Sequence, residues 1–267
     1  MKILIAGGGN MGKTYAESFT ANHAVAKPDL YILEHLEDKA ELFRNQGYQN
    51  TFTSTGAWLA DVDLIILAVK PQDAAKLYPV ISENLNENHL VLSIMAGVTV
   101  SSIQKGLGIK KVVRAMPNLP AQVGMGMTGF TSDPSVGKVE LFGIQNLLNT
   151  TGKSIYFEDE EMLNAVTAIS GSGPAYVYYF MDAMIQAASK MGFTRTQAEV
   201  LTSQTFMGAV HLLSQNRLTC AEWINRVASK GGTTEAAIKS FTEDGLSQTI
   251  ETGLRQALNR AVELGKE

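Results

Sequence analysis

Residues 2–12 constrain the fold more than any other stretch of the chain. Lys2-Ile3-Leu4-Ile5-Ala6 is a short apolar run, fit for a strand of a parallel sheet that is covered on both faces. Gly7-Gly8-Gly9-Asn10-Met11-Gly12 follows at once, and Gly7, Gly9 and Gly12 stand in the frame G-x-G-x-x-G. An amphipathic stretch from Met11 to Asn22 comes next. The glycine pattern alone is weak, but strand, fingerprint and helix in this order form the unit that binds a dinucleotide. Gly7 allows the tight turn, Gly9 lets a pyrophosphate approach the backbone, and Gly12 lets helix and strand pack closely. A glycine-rich turn without a ligand is the plain alternative.

The pattern continues as strands and helices in alternation. Leu30-Tyr31-Ile32-Leu33 reads as a second strand ending at Glu34. An acidic residue about 20 positions past the fingerprint usually holds the ribose 2′-OH of NAD. Lys13 and Lys39 could answer a 2′-phosphate, but no arginine lies between Leu30 and Lys39. The reading leans to NADH over NADPH; the alternative is a Glu34 that turns outward into solvent. Leu64-Ile65-Ile66-Leu67-Ala68-Val69 is the clearest strand, stopped by Lys70-Pro71. Leu90–Ile94 ends in Met95-Ala96-Gly97, and Lys111–Ala115 ends in Met116-Pro117-Asn118. Small or polar residues at these carboxyl ends leave room for a nicotinamide ring, because ligands of open α/β sheets sit outside the strand C-termini. Ile155-Tyr156-Phe157 closes the series, so residues 1–158 read as one doubly wound, Rossmann-like α/β domain.

From Asp159 the strand signals stop, and residues 159–267 read as an all-helical domain. Met162 to Ile169 is helical, and Ser170-Gly171-Ser172-Gly173-Pro174 is expected to break it. Pro174 suits the first turn of the next helix. That helix, Ala175 to Met191, is apolar on nearly every face and needs partners on every face. A dimer built through this half satisfies it; a compact monomeric bundle around it is the alternative. Arg195–Leu213, Cys220–Ala228 and Leu246–Leu264 read as amphipathic helices. Between two of them lies Ser229-Lys230-Gly231-Gly232-Thr233-Thr234-Glu235. Its glycines free the backbone, and a helix starts just after them. Such a start offers unpaired N–H groups and a positive dipole end to a carboxylate. A helix–helix turn with a threonine cap is the plain alternative.

Composition removes several classes. A net charge of −4 with no Lys/Arg block argues against nucleic acid or an anionic membrane as the main partner. The single cysteine, Cys220, cannot form an internal disulfide, and the four histidines are scattered singly. These facts fit a reducing, cytoplasmic setting and no metal site. No apolar run approaches the ~20 residues of a membrane helix.

Taken together in order, these motifs resemble the pyrroline-5-carboxylate reductase family. The resemblance runs over Ile5–Gly12, Ala68-Val69-Lys70-Pro71, Ser93–Thr99, Arg114-Ala115-Met116-Pro117-Asn118, Ser170–Tyr176 and Val227–Ala236. It implies a Rossmann domain followed by an all-α dimerisation domain with interlocked helices, homodimers that often assemble into larger rings, and NAD(P)H-dependent reduction of a cyclic imine, Δ1-pyrroline-5-carboxylate, to L-proline. It also implies site residues. Gly7, Gly9, Asn10, Met11 and Gly12 would hold the pyrophosphate and Glu34 the ribose. Ala68, Val69, Lys70, Ala96, Gly97 and Asn118 would line the nicotinamide. Ser229 and the Gly231-Gly232-Thr233-Thr234 backbone would hold the substrate carboxylate, and the Thr234 hydroxyl would meet the ring nitrogen as the catalytic group. Two departures stand out. Members that favour NADPH usually carry a hydroxyl or an arginine where this chain has Glu34-His35-Leu36. The family often shows an acidic residue, a histidine and a proline where this chain has Asn216-Arg217-Leu218-Thr219, so no carboxylate role transfers there.

A protonated imine already accepts hydride well, so positioning is most of the task. No His or Cys lies in the shared motifs, which leaves the iminium to bind already protonated or Thr234 to relay a proton from water. A β-hydroxyacid dehydrogenase is the nearest rival, but it would need a lysine early on the long helix, and none precedes Lys190. A dinucleotide sensor without turnover is the rival of a different class.

Overall fold

The computed structural model describes residues 1–265. Eight strands form one sheet: β1 Ile3–Ala6, β2 Leu30–Leu33, β3 Thr51–Phe52, β4 Leu64–Leu67, β5 Leu90–Ser93, β6 Val112–Met116, β7 Gly126–Ser132 and β8 Gly152–Tyr156. Helices α1 Asn10–Ala21, α2 Glu37–Asn45, α3 Pro71–Ser82, α4 Val100–Leu107 and α5 Lys138–Asn149 alternate with them. Then follow α6 Met162–Val166, α7 Gly173–Lys190, α8 Arg195–Ser214, α9 Cys220–Val227, α10 Thr233–Glu243 and α11 Leu246–Leu264. Two compact units emerge: Met1–Ser172 with the residues from Ala257 on, and Gly173–Gln256.

The first unit is a doubly wound sheet in the order β3-β2-β1-β4-β5-β6-β7-β8. Only the β6–β7 pairing is antiparallel. The strand residues alternate between two cores. Ile3, Ile5, Ile32, Leu64, Ile66, Leu92 and Val113 pack on one face; Leu4, Ala6, Leu33, Ile65, Leu67, Val91 and Val112 pack on the other. Strands apolar on both faces need helices on both faces, which is why the runs read as continuous rather than alternating. The order reverses between β1 and β4, whose registers pair Ile3 with Leu64 and Ala6 with Leu67. At that reversal the carboxyl ends diverge and leave a crevice.

Arg114 is the exception in an otherwise apolar strand. It is buried in β6, and its guanidinium meets Glu160 at 2.7 Å. The same carboxylate oxygen accepts the Val100 N–H at 2.9 Å. One ion pair thus ties β6 to the starts of α4 and α6. Removing Glu160 would leave the buried Arg114 charge uncompensated, the costly case for a buried ion.

Tyr15 of α1 is fully buried against Phe19. Burial pushes its phenol up to about 12 from 10.0. Below pH 10 both folded and unfolded chains hold the proton. As pH rises from 10 towards 12 the unfolded chain ionises first, so stability falls, by about 2–3 kcal/mol for two units. Tyr15→Phe is expected to remove that part of the alkaline loss. Urea midpoints of both proteins at pH 8, 10 and 11 check it, and parallel curves would refute it.

The sequence places a helix break at Ser170–Pro174, and the structure interrupts the helix in this segment: α6 passes into a π turn, Ser172 lies between elements, and α7 starts at Gly173. Thr167–Gly171 runs as a π turn, and the Ser172 N–H donates to the Thr167 carbonyl at 2.9 Å. Ser172 keeps right-handed helical angles, φ −83° and ψ −17°. Glycine, serine and proline weaken an α-helix, and here they follow a widened turn before a new helix begins at Gly173.

The second unit is a set of helices with little core of its own. α7 buries none of its residues, and Tyr179, Met191, Met207 and Val210 are 76%, 78%, 60% and 62% exposed. Large apolar side chains exposed in such number mark a surface made for a partner. Two helices start with reciprocal caps that the sequence reading passed over. Thr194 pairs with Gln197 at α8 and Thr219 with Glu222 at α9, each a T-x-x-E/Q box. Among the described residues no helix is long and apolar enough to cross a membrane.

Candidate active site

The glycine loop lies where β1 gives way to α1. Gly7 has φ +112°, and a Cβ there would come within 2.8 Å of the Ala68 backbone. The Gly7 N–H donates to the Leu33 carbonyl and the Ala68 N–H to the Ala6 carbonyl. The loop is therefore laced to the exits of β2 and β4. A Cβ on Gly12 would run into the Gly7 carbonyl oxygen, so α1 can start this close to the strand only with glycine there. Gly9 differs: nothing lies within 4 Å of its missing Cβ. It is the N-cap of α1 with no side-chain cap, and the first turn carries no acidic residue. A helix start with open space before it and no side chain claiming its N–H groups fits a pyrophosphate.

Glu34 turns inward. It is 4% exposed, and its carboxylate accepts the Gly8 N–H at 2.9 Å and the Leu36 N–H at 3.0 Å. A Cβ on Gly8 would meet Phe43 at 2.6 Å and Glu34 at 2.9 Å, so the middle glycine makes room for the carboxylate. His35 is exposed, with Nδ1 3.2 Å from the same side chain. Of the cations considered beside it, Lys13 pairs with Glu17 at 3.6 Å.

Ala68 and Val69 follow β4 and are half-buried, while Lys70 is exposed at the N-cap of α3. Ala96 and Gly97 follow β5. Gly97 has φ +77°, and a Cβ there would lie 3.1 Å from the Leu264 carbonyl, so the end of α11 also closes on this edge of the first unit. Asn118, at the exit of β6, directs its amide to Ser170 and to the Met127 N–H. The residues after β1, β2, β4, β5 and β6 thus share the carboxyl edge of the sheet.

The second loop, in the other unit, joins α9 to α10. Gly231 has φ +74°, and its N–H donates to Glu235 at 2.6 Å. The Gly232 N–H donates to the Ser229 carbonyl at 2.9 Å, and a Cβ on Gly232 would lie 2.6 Å from Ser229 Oγ. The first helical hydrogen bond of α10 is Ala236 N–H to the Gly232 carbonyl, at 3.2 Å. That leaves the N–H groups of Thr233, Thr234 and Glu235 as the unbonded donors of the first turn. Gly232 is the N-cap, with no side-chain cap. The threonines are therefore not the cap that the plain alternative requires. Among the described residues neither threonine hydroxyl has a hydrogen-bond partner, and Thr234 is half-buried. Just after the upstream turn at 216–219, in α9, Glu222 accepts from the Thr219 N–H and hydroxyl, and these hydrogen bonds lower its carboxyl from the ordinary value. That carboxylate is engaged in capping α9.

Sequence reasoning passed over Ser170, Glu160 and Met127 as members of this edge. Ser170 and Glu160 reach it through contacts more than forty residues distant along the chain, which no local pattern announces.

Comparison with known proteins agrees with both halves. Residues 2–97 match a family described as NADP oxidoreductase coenzyme F420-dependent, and residues 160–264 match pyrroline-5-carboxylate reductase dimerisation. A pyrroline-5-carboxylate reductase of Aquifex aeolicus is 34% identical, covering 99% of this chain and 97% of its own. A solved pyrroline-5-carboxylate reductase from Coxiella burnetii superposes with a TM-score of 0.93 at 32% identity, over 100% of this chain and 99% of the other. A Plasmodium falciparum pyrroline carboxylate reductase, solved with NADP bound, gives 0.87 at 25% identity over 99% and 98%. Sequence relatives and solved structures cover the chain nearly end to end, and by that measure it belongs to the pyrroline-5-carboxylate reductase family.

Proposed function

We propose that this protein reduces Δ1-pyrroline-5-carboxylate to L-proline, taking hydride from a nicotinamide cofactor. The observation that carries the reading is the loop before α10: a helix start with free N–H groups and two free threonine hydroxyls, as a small carboxylate with an adjacent ring nitrogen requires. The bound cofactor supplies a hydride, two electrons and a proton equivalent, to the C=N carbon. Gly7–Gly12 would hold its pyrophosphate, Glu34 its ribose, and Ala68–Lys70, Ala96 and Gly97 would surround the nicotinamide end, while the Asn118 amide is taken up by Ser170 and the Met127 N–H. The Thr233 and Thr234 N–H groups, with Ser229, hold the substrate carboxylate, and the Thr234 hydroxyl accepts from the iminium N–H and donates to the lone pair that returns to nitrogen as hydride adds to carbon. The iminium nitrogen loses its positive charge as the carbon takes the hydride, so a neutral hydroxyl serves it without a strong acid.

The inward Glu34 supports NADH over NADPH. A 2′-phosphate would face a buried carboxylate with no arginine between Leu30 and Lys39, whereas the Plasmodium falciparum relative was solved with NADP bound. The exposed apolar helices support a dimer formed through the helical half. The division at 158/159 into nucleotide-binding and dimerisation parts is supported by the dimerisation match from residue 160, while α6 and the π turn pack with the sheet. A cytoplasmic setting rests on the free Cys220 and on the reaction itself.

The test is loss of absorbance at 340 nm with Δ1-pyrroline-5-carboxylate, run with NADH and with NADPH. We expect turnover, with kcat/KM at least about tenfold higher for NADH, the factor that about 1.4 kcal/mol gives. Turnover that favours NADPH would remove Glu34 from the ribose. Cofactor binding without turnover would remove the reductase reading.

A further inference from the structure

Asn118 ends the exit turn of β6, and its amide is committed. Nδ2 donates to the Ser170 carbonyl at 3.1 Å and to the Ser170 hydroxyl at 3.2 Å. Oδ1 accepts the Met127 N–H at 2.8 Å. The choice of acceptor follows from the sequence. In an α-helix the carbonyl of residue 170 takes the N–H of residue 174. Residue 174 is proline, which has none. A carbonyl left without its helical donor needs another partner. The turn itself is π-helical from Thr167 to Gly171. It also leans on the same strand exit, since a Cβ on Gly171 would lie 2.8 Å from Met116. Widened turns of this kind recur at functional sites, and this one is pinned at the carboxyl edge of the sheet.

We propose that Asn118 is a positioning residue. It gives Ser170 the donor that Pro174 lacks, and so fixes the π turn against the exit of β6 instead of contacting the nicotinamide. The activity arm of its test rests on the function proposed above; the other arms do not. The variants are Asn118→Ala, Pro174→Ala and the double variant, in which residue 174 regains an N–H. Melting temperature, NADH Kd by fluorescence and kcat are measured on the full chain, well below the melting point.

Asn118→Ala should lower kcat about tenfold, the scale of one lost hydrogen bond, with the NADH Kd within about twofold. The double variant should recover most of the loss in kcat and in melting temperature, while Pro174→Ala alone should not exceed the parent. An Asn118→Ala protein that does not fold is replaced by Asn118→Asp, which keeps the acceptor for Met127 and loses both donations. Two results overturn the proposal: an NADH Kd weakened tenfold or more with no recovery in the double variant, or an Asn118→Ala protein indistinguishable from the parent. Absence of turnover in the parent would defeat the reductase reading, yet the melting and Kd arms would still decide the role of Asn118.

Discussion

Thr234→Val is expected to lower kcat/KM for the imine about a hundredfold, the lower end of what a positioned proton donor contributes, while the protein melts like the parent. The two halves of that expectation come from different observations. Valine copies the shape and branching of threonine and removes only the hydroxyl. That hydroxyl makes no hydrogen bond among the described residues, and the cap of α10 is Gly232, so stability should shift by no more than about 0.5 kcal/mol. The backbone N–H of residue 234 remains, so the carboxylate keeps its donor. A fall in kcat with KM nearly unchanged would mean that the hydroxyl acts only as hydride arrives. A rise in KM alone would mean that it serves ground-state binding of the ring nitrogen. Thr234→Ala should follow Thr234→Val, with a small further loss from the freed pocket. Full kcat/KM in both variants would remove Thr234 from the reaction. A lost melting transition with intact kcat/KM would restore the capping alternative.

What the sequence made legible was local. Residues 2–12 specify strand, turn and helix through apolar spacing and glycine positions alone, and α1 begins at Asn10, one residue before the amphipathic stretch. The doubly wound order follows once strands apolar on both faces alternate with helices. The loop at 229–235 was legible for the same reason: glycines before a helix start are a local instruction. Long-range partners were not legible. Spacing placed Glu34 beside the fingerprint but could not say that it turns inward. Its direction depends on the space at Gly8, which holds a carboxylate because a side chain there would collide with Phe43. The segment Ser170–Pro174 has the composition of a break. Its first half instead forms a π turn whose Ser170 carbonyl accepts from Asn118, 52 positions away, a partner that no local pattern announces. The antiparallel strand β7 was missed since its Gly126-Met127-Thr128-Gly129 start lacks a strong apolar period, and its pairing with β6 sets it instead. The apolar surface of α7 was legible as a demand for partners, and the exposed Tyr179 and Met184 show that the single chain does not meet it.

Gly9→Ala and Gly12→Ala should both lose the cofactor, and the contrast between them tests the nucleotide site. Gly12 is buried, and a Cβ there would strike the Gly7 carbonyl oxygen while standing 3.2 Å from Ile5. Neither neighbour is a flexible side-chain end that can swing away, so α1 must back off from β1. Overpacking of this kind costs about 1–3 kcal/mol of stability, and it moves the helix start that offers the N–H groups. Losing two charge-assisted hydrogen bonds at roughly 1.5 kcal/mol each weakens NADH binding about a hundredfold. Gly9 has φ −70° and ψ −175°, angles any residue adopts, and open space in front of it. Gly9→Ala should therefore fold and melt like the parent. Its methyl would occupy only the space that the pyrophosphate needs, so NADH affinity should fall at least about tenfold, the factor that about 1.4 kcal/mol gives, with stability unchanged. Thermal melts and NADH titrations on both variants separate the two effects. If Gly9→Ala bound NADH as the parent does, the open space before α1 would not be the pyrophosphate site. If Gly12→Ala lost stability but kept affinity, the helix start would not need its present distance from the strand. Loss of affinity in both, with loss of stability in Gly12→Ala alone, assigns the first glycine to the ligand and the second to the fold.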